Sequence, residues 1–118
     1  MRKRHYRYFL EDILEYSKVA QDLVQNLSVQ EFESNLTIFL ATTRALEIVG
    51  EAIGNIPDEV QKKYPKIPWH EIKGFRNTVV HEYFGIDKEI VWASAKNDTI
   101  FLIEQISLIL KDIGVEEE

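Results

Sequence analysis

The chain has 118 residues and a formal net charge of −6, a size that fits one domain with a modest core, so we predict a single domain over residues 1–118. It contains no cysteine, which excludes disulfides and thiolate zinc sites. Acidic residues rather than an apolar stretch follow the basic N-terminus, and the apolar run 100–103 is too short to span a membrane. We therefore expect a soluble protein of the cytoplasm.

The distribution of charge is uneven. Residues 1–10 hold four basic residues and no acid, and residues 62–76 hold five basic residues against Glu71, so each stretch carries +4 and the remainder carries −14. Phosphate binding needs a local basic surface and not a high overall pI. The second stretch supplies the candidate RNA-binding residues Lys62, Lys63, Lys66 and Lys73. A solvated helix face with no binding role explains the same charges.

The first helices follow from apolar spacing. Between Arg4 and Asn26, apolar residues recur every three or four positions, which predicts an amphipathic helix. Ser28 followed by Glu31 is the pattern of a capping box and predicts a new short helix. No stretch alternates β-branched and polar residues, so we expect an all-α fold.

A second long helix is predicted from Ser34 to Asn55. It is apolar around most of its circumference, and its polar residues fall in one narrow stripe: Thr37, Arg44, Glu47, Glu51 and Asn55. Such a helix must be covered on several sides. Either another protomer covers one of them, or the helix is simply central to the bundle.

Three prolines divide the second half of the chain. One or two helical turns are predicted over residues 58–64, and the link 64–68 cannot be regular helix. Pro68 is expected in the first turn of a helix that Gly85 ends, and Asp87 is expected to cap a last long helix that runs to about Ile113. The predicted fold is an up-and-down bundle of four main helices plus short ones.

The segment from Arg76 to Tyr83 holds residue types suited to RNA cleavage by the 2′-hydroxyl. That reaction needs a base for the hydroxyl proton, a cation for the crowded phosphate and an acid for the leaving 5′-oxygen. Histidine, with an ordinary pKa of roughly 6.5, suits the proton transfers. The guanidinium of arginine matches two phosphate oxygens, and tyrosine can bind phosphate or stack on a base.

Helical geometry places these side chains only in part on one face. Arg76 and Tyr83 are seven residues apart and share a face, as do Asn77 and His81, whereas Arg76 and His81 lie roughly 140° apart around the axis. A site completed across a symmetric dimer would relieve this separation. By spacing alone, Arg76 could equally pair with a neighbouring glutamate, and His81 could be an ordinary surface histidine.

The segment resembles the Arg-X4-His-X-Tyr motif of HepT toxins, which are ribonucleases of the HEPN class, with Arg76, His81 and Tyr83 at the three fixed positions. Asn77 matches the polar residue that commonly follows the arginine. Residues 67–77 are similar to the family's Pro-Trp-x-x-Ile-x-Gly-x-Arg signature, and residues 47–52 to its Ile-Gly-Glu-Ala element. The resemblance spans roughly residues 3–113.

This resemblance implies a homodimeric, metal-independent ribonuclease toxin without a cofactor, in which Arg76, His81 and Asn77 are catalytic. It also implies a minimal nucleotidyltransferase antitoxin as partner, which transfers AMP to Tyr83. No metal-ligand spacing links His5, His70 and His81. The alternative function is a non-catalytic helical module that docks a nucleotidyltransferase; a purely structural dimerisation bundle would leave the polar motif unexplained.

Overall fold

A computed structural model describes residues 5–72 and 87–117 of the chain, with side chains described through residue 114. The described residues contain helices and no strand, which confirms the all-α prediction. In chain order the elements are α1 (Tyr6–Val24), α2 (Val29–Glu33), α3 (Leu36–Gly54), α4 (Asp58–Lys63), the beginning of α5 (69–72), α6 (Lys88–Ala93), a π-helical segment (Ser94–Asp98) and α7 (Thr99–Glu117).

Helix α1 lies between the other two long helices. One stripe of the helix is buried, formed by Leu10, Ile13, Ser17, Ala20 and Val24, and the helix packs against both α3 and α7. Its N-terminus is capped by His5, whose Nδ1 accepts a hydrogen bond from the Arg7 amide at 3.0 Å. The predicted boundaries of α1 and α3 lie within two residues of the observed ones.

The polar stripe of α3 faces solvent, as the charge pattern predicts. Arg44 lies 4.0 Å from a carboxylate oxygen of Glu47 and 3.8 Å from one of Glu51, so these residues form an ordinary exposed ion-pair ladder. Leu36 and Leu40 are also exposed on this helix. The described chain therefore leaves one side of α3 uncovered.

The capping box that opens α2 is present as predicted. The Ser28 amide donates to Glu31 Oε1 at 2.9 Å, and the Glu31 amide donates to Ser28 Oγ at 3.1 Å. The hydrogen bonds from the Ser28 backbone and side chain hold the pKa of the Glu31 carboxyl below its usual value. Phe32 of this short helix is fully buried and meets Phe39 edge-to-face, with ring centroids 5.9 Å apart.

Two clusters of buried side chains form the core. One joins the first half of α1 to the end of α3, the α4–α5 link and α7, and includes Ile53, Trp69 and Ile106. The other joins the second half of α1 to α2, the start of α3 and α6, and includes Phe32 and Val91. Both ends of the span 73–86 are thus attached to packed parts of the bundle.

The N-cap predicted for the last helix is correct, but the helix is not α-helical throughout. Asp87 Oδ1 accepts a hydrogen bond from the Glu89 amide at 2.9 Å, as expected of an N-cap. The helix is then interrupted by the π-helical segment, which the sequence analysis did not anticipate. A regular helix with 3.6 residues per turn would bring position 98 into line with Val91 and Leu102. In the structure Thr99 is buried and Asp98 is exposed.

Candidate active site and nucleic-acid interface

The predicted catalytic residues Arg76, Asn77 and His81, together with Tyr83 and Lys73, lie outside the described residues. The structure instead describes the framework on both sides of them. Residues up to Ile72 form the upstream side, and residues from Asp87 onward form the downstream side.

The upstream side is fixed by Trp69. Its side chain is only 7% exposed within the first core cluster, and its indole N–H donates to the Tyr64 carbonyl at 3.0 Å. The Ile72 amide donates to the Pro68 carbonyl at 3.2 Å, so Pro68 lies at the N-cap of α5. The prediction that Pro68 occupies the first turn is wrong by one residue, a shift common at helix ends.

The downstream side is fixed by a second tryptophan. The indole N–H of Trp92 donates to the Leu27 carbonyl at 3.0 Å, across 65 positions of sequence. Lys88 Nζ donates to the Glu33 carbonyl at 3.3 Å and lies 5.1 Å from the ring centroid of Phe39. These contacts join α6 to the connection after α1 and to the α2–α3 region.

An open groove of about 590 Å³ lies between the two sides. Its lining is mostly apolar and comes from α3, from the link and first turn of α5, and from the π segment with the start of α7. The lining residues are Leu46, Val49, Lys66, Pro68, Glu71, Ile72, Ser94, Asp98, Thr99, Phe101 and Leu102. Ile72, at one side of the groove, is the last described residue before the span 73–86.

Three of the four candidate RNA-binding lysines are described, and all three are exposed. Lys62 and Lys63 form the last turn of α4, and Lys66 follows in the link and borders the groove. Between them, Tyr64 is half-buried and its hydroxyl donates to Asp112 Oδ2 at 2.5 Å, which ties the link to α7. Of these three lysines, Lys66 lines the groove, whereas Lys62 and Lys63 lie on the last turn of α4.

Comparison with known proteins identifies the family. The model of the "Ribonuclease HepT-like" family matches residues 13–109. A "Putative RNase" of Methanocaldococcus jannaschii is 39% identical over 118 residues, which cover 100% of this chain and 98% of the relative. A "Probable ribonuclease HepT" of Thermococcus cleftensis is 35% identical over 96 residues, covering 81% of this chain and 87% of the relative. The chain belongs to the HepT-like ribonuclease family. No solved structure matches it significantly.

Membership in the HepT-like family agrees with the resemblance inferred from the motif. The matched range includes the whole segment from Arg76 to Tyr83, and it also includes the two hydrogen-bonded tryptophans, Trp69 and Trp92. A ribonuclease family implies RNA as the substrate. Within the described residues, no helix has the length and apolarity needed to cross a membrane.

The described histidines of this HepT-like chain have no arrangement typical of a metal centre. His5 caps α1, and His70 is exposed near the start of α5. Among residues 5–72 and 87–117, no three His, Asp or Glu side chains are grouped so that they could hold a metal ion.

Neither the groove nor the π segment was predicted from the sequence. The groove is formed by residues from separate helices, and one extra residue in a helical turn leaves little trace in the spacing of apolar residues.

Proposed function

We propose that this chain is the ribonuclease toxin of a toxin–antitoxin pair and that it cleaves RNA without a metal ion. The observation that carries the proposal is that the family match at residues 13–109 includes the entire Arg76–Tyr83 segment. The residue types of that segment are those that the 2′-hydroxyl reaction requires.

In the proposed reaction, the 2′-oxygen of RNA attacks the adjacent phosphorus and the 5′-oxygen of the next nucleotide leaves. The products are a 2′,3′-cyclic phosphate and a free 5′-hydroxyl. His81 takes part in the proton transfers, Arg76 neutralises the charge that builds on the phosphoryl oxygens, and Asn77 orients His81 or the phosphate. The proton lost from the 2′-hydroxyl is balanced by the proton gained by the leaving oxygen.

The surroundings of the segment support RNA as the ligand. Lys66 places positive charge at the groove, and Lys62 and Lys63 are exposed on the preceding helix, despite the overall charge of −6. Single-stranded RNA is held by such local basic surfaces together with apolar and aromatic platforms for its bases. Phe101, which is 41% exposed at the groove, is a platform of that kind.

The proposal includes a homodimer with a composite site. Arg76 and His81 would lie on different faces of a regular helix, and a symmetric partner would bring a second copy of each to the same phosphate. The exposed leucines 36 and 40 and the uncovered side of α3 are compatible with a further protein contact.

The proposal also includes control by a minimal nucleotidyltransferase antitoxin. The Tyr83 hydroxyl would attack the α-phosphorus of ATP, and pyrophosphate would leave as AMP becomes attached to the tyrosine. The added phosphate and adenine would compete with RNA for Arg76 by charge and by bulk.

The decisive experiment is an RNA cleavage assay with purified, unmodified protein in EDTA. Cleavage is expected with RNA and absent with DNA of the same sequence, which lacks the 2′-hydroxyl. Fragments should end in 2′,3′-cyclic phosphate. If the unmodified protein cuts no RNA but binds a nucleotidyltransferase, the chain is the non-catalytic docking module instead.

A further inference from the structure

The groove combines an apolar lining with a small number of polar groups. Its volume of about 590 Å³ lies within the usual range of small-molecule sites, about 300–1,000 Å³. Phe101 contributes an exposed aromatic ring, and Leu46, Val49 and Ile72 contribute apolar walls. An aromatic ring beside apolar walls suits a flat ring system that stacks.

The described lining of the groove holds more acidic than basic side chains. Asp98 and Glu71 supply two carboxylates inside the lining, whereas Lys66 supplies one ammonium group. Lys62 and Lys63 are exposed in the adjacent turn of α4. A phosphate would therefore be repelled by the two carboxylates of the groove and attracted to the side where Lys66 lies.

The polar groups at the groove differ in whether they are already hydrogen-bonded within the protein. The Thr99 hydroxyl is buried and donates to the Ala95 carbonyl at 2.6 Å, so it is already used inside the helix. Asp98 is exposed, and in the described part of the chain no ion pair or hydrogen bond engages its carboxylate. Asp98 is the last residue of the π segment and Thr99 the first of α7, so the two side chains point in different directions at the groove.

We infer that this groove is a base-recognition subsite of the ribonuclease, in which Phe101 stacks on one base of the RNA and Asp98 selects guanine. The inference rests on the proposed RNA cleavage. A carboxylate only accepts hydrogen bonds, and guanine presents two adjacent N–H donors, N1 and N2, on its Watson–Crick edge. Adenine, cytosine and uracil do not offer that pair of donors.

The same arrangement gives Lys66 a role. With a base in the groove, a phosphate next to its nucleotide reaches the rim, where Lys66 lies. Ile72 lines the groove and is the last described residue before the span that holds Arg76 and His81. Recognition of one base of the bound RNA would give the enzyme a sequence preference.

The test measures binding separately from cleavage, with 2′-O-methyl tetranucleotides that lack the attacking hydroxyl and differ in one base. Fluorescence anisotropy should show about tenfold tighter binding of the guanine oligonucleotide, since a good bidentate base contact is worth about 1–3 kcal/mol. Asp98→Asn should reduce the preference to less than about twofold, and Phe101→Ala should weaken all four oligonucleotides alike. Glu104→Gln is the matched control: it makes the same change from carboxylate to amide on an exposed position of α7 outside the groove.

The outcomes separate the two proposals. Guanine preference that depends on Asp98, without cleavage of natural RNA, supports the subsite and contradicts the proposed reaction. Cleavage of natural RNA with equal binding of all four oligonucleotides, or a preference that Asp98→Asn leaves intact, overturns the subsite while the reaction stands. Absence of both binding and cleavage overturns both.

Discussion

Trp69 and the carbonyl of Tyr64 are joined by a hydrogen bond of 3.0 Å, and this bond closes the proline-containing link just before the predicted catalytic segment. The indole ring is buried in the same core cluster that holds Ile106 of α7. One side chain therefore fixes both the path of the link and the start of α5.

We expect Trp69→Phe to lower the free energy of unfolding by about 1–3 kcal/mol, because the Tyr64 carbonyl loses its partner and the smaller ring leaves a gap. Trp69→Ala should cost about 3–5 kcal/mol. Urea unfolding followed by far-UV circular dichroism measures both. Trp92→Phe removes the same type of hydrogen bond from a half-buried ring, so it should lower the free energy of unfolding by less. Equal losses in the two variants would contradict the expectation that Trp69 stabilises the fold more than Trp92.

Arg76→Ala and His81→Ala should each reduce the rate of RNA cleavage by roughly 10²-fold or more if both groups act in the transition state. Single-turnover cleavage of an end-labelled RNA measures the loss. His70→Ala, at an exposed histidine of the same stretch, is the control and should leave the rate near that of the parent. A variant of Arg76 or His81 that keeps the parent rate and an unchanged helical spectrum would remove that residue from the catalytic set.

Co-expression with the neighbouring nucleotidyltransferase should add AMP at Tyr83, and Tyr83→Phe should abolish the addition. Peptide mass spectrometry locates the modified residue. Tyr64 is the informative comparison, because its hydroxyl is already bonded to Asp112 at 2.5 Å and its ring is half-buried. Tyr64→Phe should therefore leave AMP addition unchanged, and modification confined to Tyr64 would refute the regulatory mechanism without affecting cleavage.

The exposed lysines of α4 and the link after it should set the salt dependence of RNA binding. For single strands, each lysine that neutralises a phosphate contributes about 0.7 to the slope of log K against log salt. Replacing Lys62, Lys63 and Lys66 one at a time with glutamine should make that slope shallower by about this amount for each replacement. Lys18→Gln, on an exposed position of α1, should leave it unchanged.

The capping box should make part of the stability depend on pH. The pKa of Glu31 is lowered in the folded protein, mainly by the hydrogen bond from the Ser28 backbone. Its contribution is therefore complete above the unfolded value, 4.5, and is lost as the pH falls through the folded pKa. The stability difference between the parent and Glu31→Gln should shrink over that acidic range, whereas Glu33→Gln, at the end of the same helix and outside the capping box, should show no such trend.

Local signals were sufficient to predict much of the fold. The Ser28–Glu31 pair, the Asp87 cap and the exposed Arg44 stripe are each set by residues within a few positions of one another. The long-range contacts were not predictable in this way. Nothing near Trp92 in the sequence indicates that its indole bonds to the Leu27 carbonyl, and nothing near Phe101 indicates that α3 and the α5 link complete a groove around it.

The candidate site likewise has one part that could be predicted from the sequence and one part that could not. The roles predicted for Arg76, His81 and Tyr83 rest on residue type and on the resemblance to the HepT motif, and these residues lie outside the described part of the chain. The placement of Asp98 at the groove was not predictable, because α3 and the α5 link form the rest of that groove. A binding surface assembled from separate helices has no signature in any single stretch of sequence.

The π turn also has an evolutionary consequence. A π segment is an α-helix with one residue more than its turn requires. Relatives whose helix is regular here should align with a one-residue gap between the positions of Trp92 and Leu102. Because the π turn takes up the extra residue, the helical faces before and after it are the same with or without the gap. The positions equivalent to Val91 and Leu102, both buried here, should therefore stay apolar in both groups of relatives, although the number of residues between them differs by one.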